Sequence, residues 1–129
     1  MSDYPSDFRY TEEHEWAQLR DGKVRVGVTK FAVDQLGDVT MLELPNEGDK
    51  VAKSEVFGSI ESVKAVSDLF APISGTVVAV NSPLHDSPEY VNQAPYEEGW
   101  LIELQATDAA DLEQLMTVEA YTQFVEQQD

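Results

Sequence analysis

The sequence of 129 residues contains no cysteine. Disulfide bonds, zinc–thiolate sites and thiol nucleophiles are therefore excluded. The sequence also lacks any run of about 18 consecutive apolar residues, the length that crosses a bilayer as a helix. Its first residues combine neither a cationic start nor an apolar run. We therefore expect no signal peptide, no transit peptide, no membrane contact and a cytoplasmic location.

Positive charge is scarce, since 8 Lys and Arg stand against 25 Asp and Glu and the net charge is −17. Lys64 is the last cation, so residues 65–129 carry twelve acids without a Lys or Arg, a net −12. Nucleic-acid binding needs a basic surface for counterion release, and anionic lipids repel an acidic one. Nucleic acids and membranes are excluded as partners, and any charged partner is expected to be basic.

Catalytic and metal-binding patterns are missing as well. The two histidines, His14 and His85, are far apart in the sequence and each lies among acids, so a metal site or a histidine-activated nucleophile would need the fold to bring distant residues together. The glycines form no phosphate-binding loop. Adjacent carboxylates such as Glu12 and Glu13 point to opposite faces of a strand, and such pairs are expected by chance in an acidic chain. The sequence predicts neither a metal site nor a self-sufficient active site.

Short extended segments separated by turns dominate the chain. Residues 23–29 alternate apolar with polar or small residues, and the preceding Asp21-Gly22 suits a tight hairpin turn with residues 16–20. Thr29 is a candidate N-cap for a short helix over residues 30–36. Further strands are expected over residues 39–44, 55–60, 76–80 and 100–104, and residues 81–99, which contain three prolines, are expected to be a loop.

The end of the chain changes to helical spacing. Leu112, Leu115 and Met116 recur at helical intervals, and Thr117 is a candidate cap for a second helix that carries Tyr121. We expect these helices to cover the β core by packing. The whole chain, residues 1–129, is predicted to be a single, mainly β domain of sandwich or barrel type, with its core at about 15–105 and the helical cover at about 108–126.

The segment around Lys64 carries the most specific signal. It joins two β-rich halves, and the lysine lies between Val63 and Ala65 where a turn is expected. A turn that only reverses the chain favours Gly, Asn, Asp or Pro. A lysine is ordinarily a solvated surface charge, but a Val-Lys-Ala-Val turn suits a lysine that is presented to another protein. Acylation of its amine would remove the charge and lengthen the arm.

These residues resemble the H proteins of the glycine cleavage system. The likeness is strongest in residues 10–16 (YTEEHEW), 61–68 (ESVKAVSD) and 71–75 (APISG), with shorter matches at 36–38, 44–45, 80–81, 95–96 and 99–100. It extends over nearly the whole chain. The departures are small: Phe70 and Ile73 replace the common Tyr and Val, and Glu13 replaces a small polar residue.

The resemblance implies a flattened β-barrel of the lipoyl-carrier type, with Lys64 bearing lipoate in amide linkage at the tip of a hairpin. Such a carrier is not an enzyme. It takes the aminomethyl group of glycine from a pyridoxal-phosphate glycine decarboxylase to a tetrahydrofolate-dependent aminomethyltransferase. Dihydrolipoyl dehydrogenase then reoxidises the arm, and lipoate-attaching enzymes are further partners. A shuttle of this kind is expected to be a monomer.

The resemblance further implies that the loaded arm folds into a cleft that excludes water. We hypothesise that Glu15 or Asp68 receives the protonated amine there, because each lies in or beside a block that resembles the family. The alternative is that both are exposed acids among the twenty-five of the chain.

Other functions are compatible with parts of this pattern. A biotinyl carrier would place its lysine between two methionines, and the neighbours Val63 and Ala65 disfavour it. A relay that donates lipoyl groups to 2-oxoacid dehydrogenases would keep the fold and the cofactor. An interaction module with an unmodified Lys64 would keep the fold alone. The relay and the interaction module stay open on the sequence.

Overall fold

The computed structural model describes residues 7–108 and 110–128 and consists of two antiparallel sheets with short helices. The strands, in chain order, are β1 (Arg9–Tyr10), β2 (Glu15–Arg20), β3 (Lys23–Val28), β4 (Val39–Glu43), β5 (Lys50–Val51), β6 (Val56–Ser62), β7 (Val66–Phe70), β8 (Gly75–Val80) and β9 (Ile102–Ala106). The helices are α1 (Lys30–Leu36), a 3₁₀ helix (Ser82–His85), α2 (Glu89–Gln93), α3 (Ala110–Glu113) and α4 (Val118–Gln128).

The larger sheet has the strand order β1-β2-β3-β9-β8-β5, and the smaller has β4-β6-β7. Strands β2 and β3 form the hairpin that the sequence predicts, with Asp21 at φ 51° and Gly22 at φ 81°. These two positive φ angles are those of the tight primed turn whose twist matches the flanking strands. Local chemistry therefore fixes this hairpin.

Helix α1 begins and ends at the residues predicted for it. The Thr29 side chain accepts a hydrogen bond from the Ala32 amide, which satisfies a donor that the first turn leaves free. Gly37, at φ 78°, ends the helix and donates its amide to the carbonyl of Val33. A positive φ of this size favours glycine because it has no Cβ.

The main core lies between the two sheets. Val26 and Leu104 from the larger sheet and Ile60 and Leu69 from the smaller one belong to a single cluster of buried apolar side chains. The sheets share this core without joining into one continuous sheet. The flattened barrel–sandwich that the sequence predicts is confirmed, and the boundaries of one domain stay a prediction.

A second buried cluster joins the C-terminal cover to the start of the chain. The rings of Tyr10 and Tyr121 stack at 4.6 Å, and both side chains are fully buried. Trp16 and Val125 belong to the same cluster. The predicted helical cover is therefore confirmed, and the aromatic residues in it serve packing. Among the helices of the described ranges, none is long and apolar enough to span a membrane.

The prediction of a loop over residues 81–99 is wrong in part. This segment contains the 3₁₀ helix and α2, which bury Leu84 and Val91. Pro83 lies in the first turn of the 3₁₀ helix and Pro88 caps α2. Proline is tolerated there because the first amides of a helix have no partner within it. Two of the three prolines in this segment, Pro83 and Pro88, therefore lie at helix starts.

Candidate functional site

Lys64 lies at the tip of the hairpin between β6 and β7. The Ser62 amide donates to the carbonyl of Ala65 at 2.8 Å, and the Ser62 hydroxyl accepts the amides of Lys64 and Ala65 at 3.2 and 3.1 Å. A serine side chain therefore closes this turn, in the place of the glycine or proline that ordinary turns use. The closure fixes the backbone on both sides of Lys64.

The side chains at this tip are exposed to solvent. Lys64 is exposed, and its amine has no hydrogen-bond or ion-pair partner among the described residues. The flanking Val63 and Val66 are 68% and 66% exposed. Exposing apolar side chains to water does not stabilise the fold. The arrangement presents a free amine on an apolar tip, which fits an amide-linked acyl group.

A cavity of about 500 Å³ lies between β7, α1 and the residues that begin β2. Its acidic and basic lining consists of Glu13, His14, Glu15 and Asp68. Its other lining residues are Val28, Phe31, Ala32, Gln35, Leu36, Ile60, Ser67, Leu69 and Phe70. Both acids singled out in the sequence therefore border one cavity, although 53 positions separate them in the sequence.

Glu15 is buried at the wall of this cavity, with only 2% of its surface exposed. Its Oε1 accepts a hydrogen bond from the Thr11 hydroxyl at 2.7 Å, and its Oε2 accepts the Phe70 amide at 3.2 Å. Burial raises the pKa of Glu15 to about 8; the hydrogen bonds from Thr11 and Phe70 lower it, and the nearby charge of Glu13 raises it. A carboxyl that burial keeps neutral would ionise when a cation binds beside it.

Asp68 occupies a different position. It lies on β7, an edge strand of the smaller sheet, and its side chain is exposed. The alternative of two exposed acids thus holds for Asp68 and is wrong for Glu15. Glu15 therefore lies at the buried wall of the cavity, and Asp68 lies at its exposed rim.

The neighbours of Glu15 in the block of residues 10–16 hold it in place. Nδ1 of His14 and the hydroxyl of Tyr121 are hydrogen-bonded at 2.8 Å, and the His14 ring packs against Phe31 at 4.5 Å. The Trp16 indole donates to the carbonyl of Pro95 at 2.9 Å. His14 and Trp16 therefore anchor the strand on each side of Glu15.

His85 lies on the 3₁₀ helix and is exposed, and it does not line the cavity with His14. In the described part of the chain, no three His, Asp or Glu side chains form a group that could hold a metal ion.

The comparison with known proteins decides the family. A family model described as glycine cleavage H-protein matches residues 8–128. The chain belongs to the glycine cleavage H-protein family. The H protein of Anaeromyxobacter sp. (strain K) is 57% identical over 125 residues, which cover 97% of this chain and 98% of the relative. That of Bacillus subtilis (strain 168) is 50% identical over 123 residues, 95% and 97% of the two chains.

A solved H-protein structure has the same fold. The crystal structure of the glycine cleavage system H protein from Mycobacterium marinum matches this chain with a TM-score of 0.85 at 39% identity. The match covers 97% of this chain and 98% of that protein. H proteins are carrier subunits of the glycine cleavage system and are not themselves catalytic. The predicted family, carrier function and non-enzymatic class are confirmed, and membership implies partner enzymes within that system.

Proposed function

We propose that the protein carries lipoate in amide linkage on Lys64. The observation that carries this proposal is the unpaired, exposed amine at the tip of a hairpin that Ser62 closes. Lipoate, when bound, supplies the disulfide that accepts, carries and releases the aminomethyl group of glycine. The side chain of Lys64 provides the flexible stem of the lipoyl arm, and the turn closed by Ser62 fixes the position from which the stem extends. A tether of this kind keeps the cargo at high local concentration near a docked enzyme.

The partners of this carrier are then glycine decarboxylase, aminomethyltransferase and dihydrolipoyl dehydrogenase, together with lipoate-attaching enzymes. A carrier that visits several enzymes must leave its tip accessible to each in turn. We therefore propose that the protein is monomeric, and its location in the cytoplasm stays a prediction.

We further propose that the cavity stores the cargo and that Glu15 binds its protonated amine. Glu15 is buried, lines this cavity and accepts two hydrogen bonds; it also lines a second cavity, of about 370 Å³, together with its donor Thr11. An incoming cation favours the ionised carboxylate, so Glu15 would lose its proton as the amine arrives. Apolar residues such as Phe31 and Ile60 line the cavity of about 500 Å³, and the parts of the stored cargo that pack against them would be shielded from water. Asp68 at the rim would attract the amine during entry.

The attachment site can be tested by intact mass. Protein from a host that attaches lipoate is expected to gain one lipoyl group, and Lys64→Arg is expected to gain none and to abolish glycine–bicarbonate exchange with glycine decarboxylase. Lys53→Arg, an exposed lysine outside the tip, is the matched control. Protein that stays unmodified would favour the interaction module. Lipoyl transfer to 2-oxoacid dehydrogenases without glycine exchange would favour the relay.

The storage site can be tested by the rate at which the loaded carrier loses its aminomethyl group. We expect Glu15→Gln to speed the loss by about tenfold or more, since a hydrogen bond to a charged group contributes about 1.5–3 kcal/mol. Asp68→Asn is expected to change the rate by about fivefold or less, because an exposed ion pair contributes about 0.2–1 kcal/mol. Asp21→Asn, in the distant β2–β3 turn, controls for the lost charge. An unchanged rate in Glu15→Gln would contradict its role.

A further inference from the structure

The corner between α1 and β4, residues 37–39, contacts the hairpin tip. The Val63 amide donates to the carbonyl of Asp38 at 3.1 Å. A Cβ placed on Gly37 would lie 3.0 Å from Cε of Lys64 and 3.9 Å from Cγ2 of Val63. The stem of Lys64 therefore lies across the one residue of the corner that has no side chain.

Asn92 of α2 holds this corner from the other side. Its Nδ2 donates to the carbonyl of Gly37 at 2.8 Å, and its Oδ1 accepts the Val39 amide at 2.9 Å. Both functions of one amide side chain are thus used, one on each side of Asp38. Val91, the preceding residue, is fully buried and fixes α2 to the core.

The corner also lies at the end of the cavity wall. Gly37 follows α1 directly, and Phe31, Ala32 and Leu36 of that helix line the cavity. At a rise of about 1.5 Å per residue, the six residues from Phe31 to Gly37 span about 9 Å. A stem that lies on Gly37 therefore starts beside the wall along which the cargo would travel.

We infer that Asn92 is a positioning residue for the carrier arm. It clamps the corner at residues 37–39, which holds the Val63 amide and supports the Lys64 stem, so that the arm leaves the tip along α1 toward the cavity. The inference rests on the proposed attachment of lipoate to Lys64 and storage of the cargo beside Glu15. It adds a residue that touches neither the cargo nor the lysine.

The variants are chosen to separate this role from simple packing. Asn92→Ala removes both hydrogen bonds, and Asn92→Asp retains the shape and the acceptor for Val39 but places an oxygen against the carbonyl of Gly37. Gln93→Ala, which removes the next, exposed amide of α2, is the matched control.

Two measurements report on the clamp. Hydrogen exchange of the Val63 amide, followed by NMR on protein without lipoate, tests the corner itself. The lifetime of the aminomethyl group on the lipoylated carrier tests the arm. We expect both Asn92 variants to speed Val63 exchange by about fivefold or more and cargo loss by a similar factor. The core amides of Val26 and Leu104, and oxidation of the reduced arm by dihydrolipoyl dehydrogenase, should change by less than about twofold.

Three results would overturn the inference. Val63 exchange as slow as in wild type would show that Asn92 does not hold the tip. A wild-type cargo lifetime in the Asn92 variants would show that the clamp does not direct the arm. Parallel acceleration at Val63, Val26 and Leu104 would show a general loss of stability. Failure of the proposed function gives a different pattern, because wild-type protein itself would then carry no lipoyl group or would lose the aminomethyl group as fast as free lipoamide does.

Discussion

A buried carboxyl that accepts two hydrogen bonds is the main chemical feature at the scale of single residues. The Thr11 hydroxyl, which donates to Glu15, also accepts the backbone amides of Glu13 and Glu15 at 3.2 and 3.1 Å. The turn before β2 therefore supplies one of the two hydrogen bonds to the Glu15 carboxyl within five residues. Burial nevertheless outweighs these hydrogen bonds, since the pKa of Glu15 is raised overall.

The raised pKa of Glu15 predicts a stability that depends on pH. Its folded-state pKa of about 8 exceeds the ordinary value of 4.5, so the folded chain holds this proton more tightly than the unfolded chain does. The contribution of the protonated group is complete below about pH 4.5 and is lost as the pH rises to about 8. At 1.36 kcal/mol per pH unit, the full loss is on the order of 3–5 kcal/mol.

Glu15→Gln should remove most of this dependence. We expect the variant and wild type to have similar free energies of unfolding near pH 5, and the variant to be more stable by a few kcal/mol at pH 8.5. Urea unfolding at several pH values measures the difference. Glu12→Gln, an exposed position in the same turn, corrects for the removal of one negative charge. A difference that stays constant with pH would contradict the assignment to Glu15.

At the scale of elements, the sequence predicts what neighbouring residues determine. The β2–β3 hairpin follows from Asp21 and Gly22, and the start of α1 follows from Thr29, because each signal acts over a few residues. The sequence predicts a loop where α2 lies because proline cannot donate to a sheet ladder, but proline is compatible with the start of a helix, and Leu84 and Val91 are an apolar signal in the same segment.

The contacts that α2 makes near the hairpin tip cannot be predicted from neighbouring residues in the sequence. Asn92 binds the backbone of Gly37 and Val39, which lie 55 and 53 residues away. Glu15 likewise meets Phe70 across 55 residues. The turn residues indicate Lys64 and the resemblance to the family leads to Glu15 and Asp68, but only the folded chain shows that Glu15 is buried and Asp68 exposed. A sequence pattern can indicate these residues, but it does not give the distances between them in the folded chain.

One hydroxyl of the C-terminal helix α4 adds two hydrogen bonds to the apolar packing that joins this helix to the rest of the protein. The Tyr121 hydroxyl is hydrogen-bonded to Nδ1 of His14 at 2.8 Å and to the Thr29 hydroxyl at 2.7 Å, within a fully buried side chain. Tyr121→Phe leaves buried polar atoms with fewer partners and is expected to cost about 1–3 kcal/mol of stability. Chemical denaturation measures the loss. Tyr90→Phe, which alters a partly exposed ring, should change stability by less than about 0.5 kcal/mol, and equal effects in both variants would contradict the bridge.

At the scale of the whole molecule, the charge distribution governs encounters with partners. The net charge is −17, and residues 65–129 contribute −12 of it without a Lys or Arg. Basic docking surfaces on the partner enzymes would be attracted over distances of about one Debye length, which shrinks from about 30 Å at 0.01 M to 8 Å at 0.15 M salt. The charge of the protein is therefore expected to change mainly the rates of association with these enzymes.

We expect the kcat/KM of dihydrolipoyl dehydrogenase for the lipoylated carrier to fall about tenfold between 0.01 and 0.3 M salt. Steady-state assays over this range measure it. Free lipoamide, which is uncharged, serves as the control substrate and should change far less. Equal salt dependence for the carrier and for lipoamide would show that docking is not steered by charge.

The hydrogen bond from Phe70 to Glu15 also bears on strand pairing between copies of the protein. Among the described strands, β7 pairs only with β6, and an open strand edge with free backbone donors is a template for pairing with another chain. The Glu15 carboxyl accepts the Phe70 amide at the end of β7, so this donor is already occupied. We therefore expect the acid that would hold the cargo also to disfavour pairing at this end of the strand. Shortening this acid to alanine would expose the edge, and such a variant should oligomerise more readily than one with glutamine.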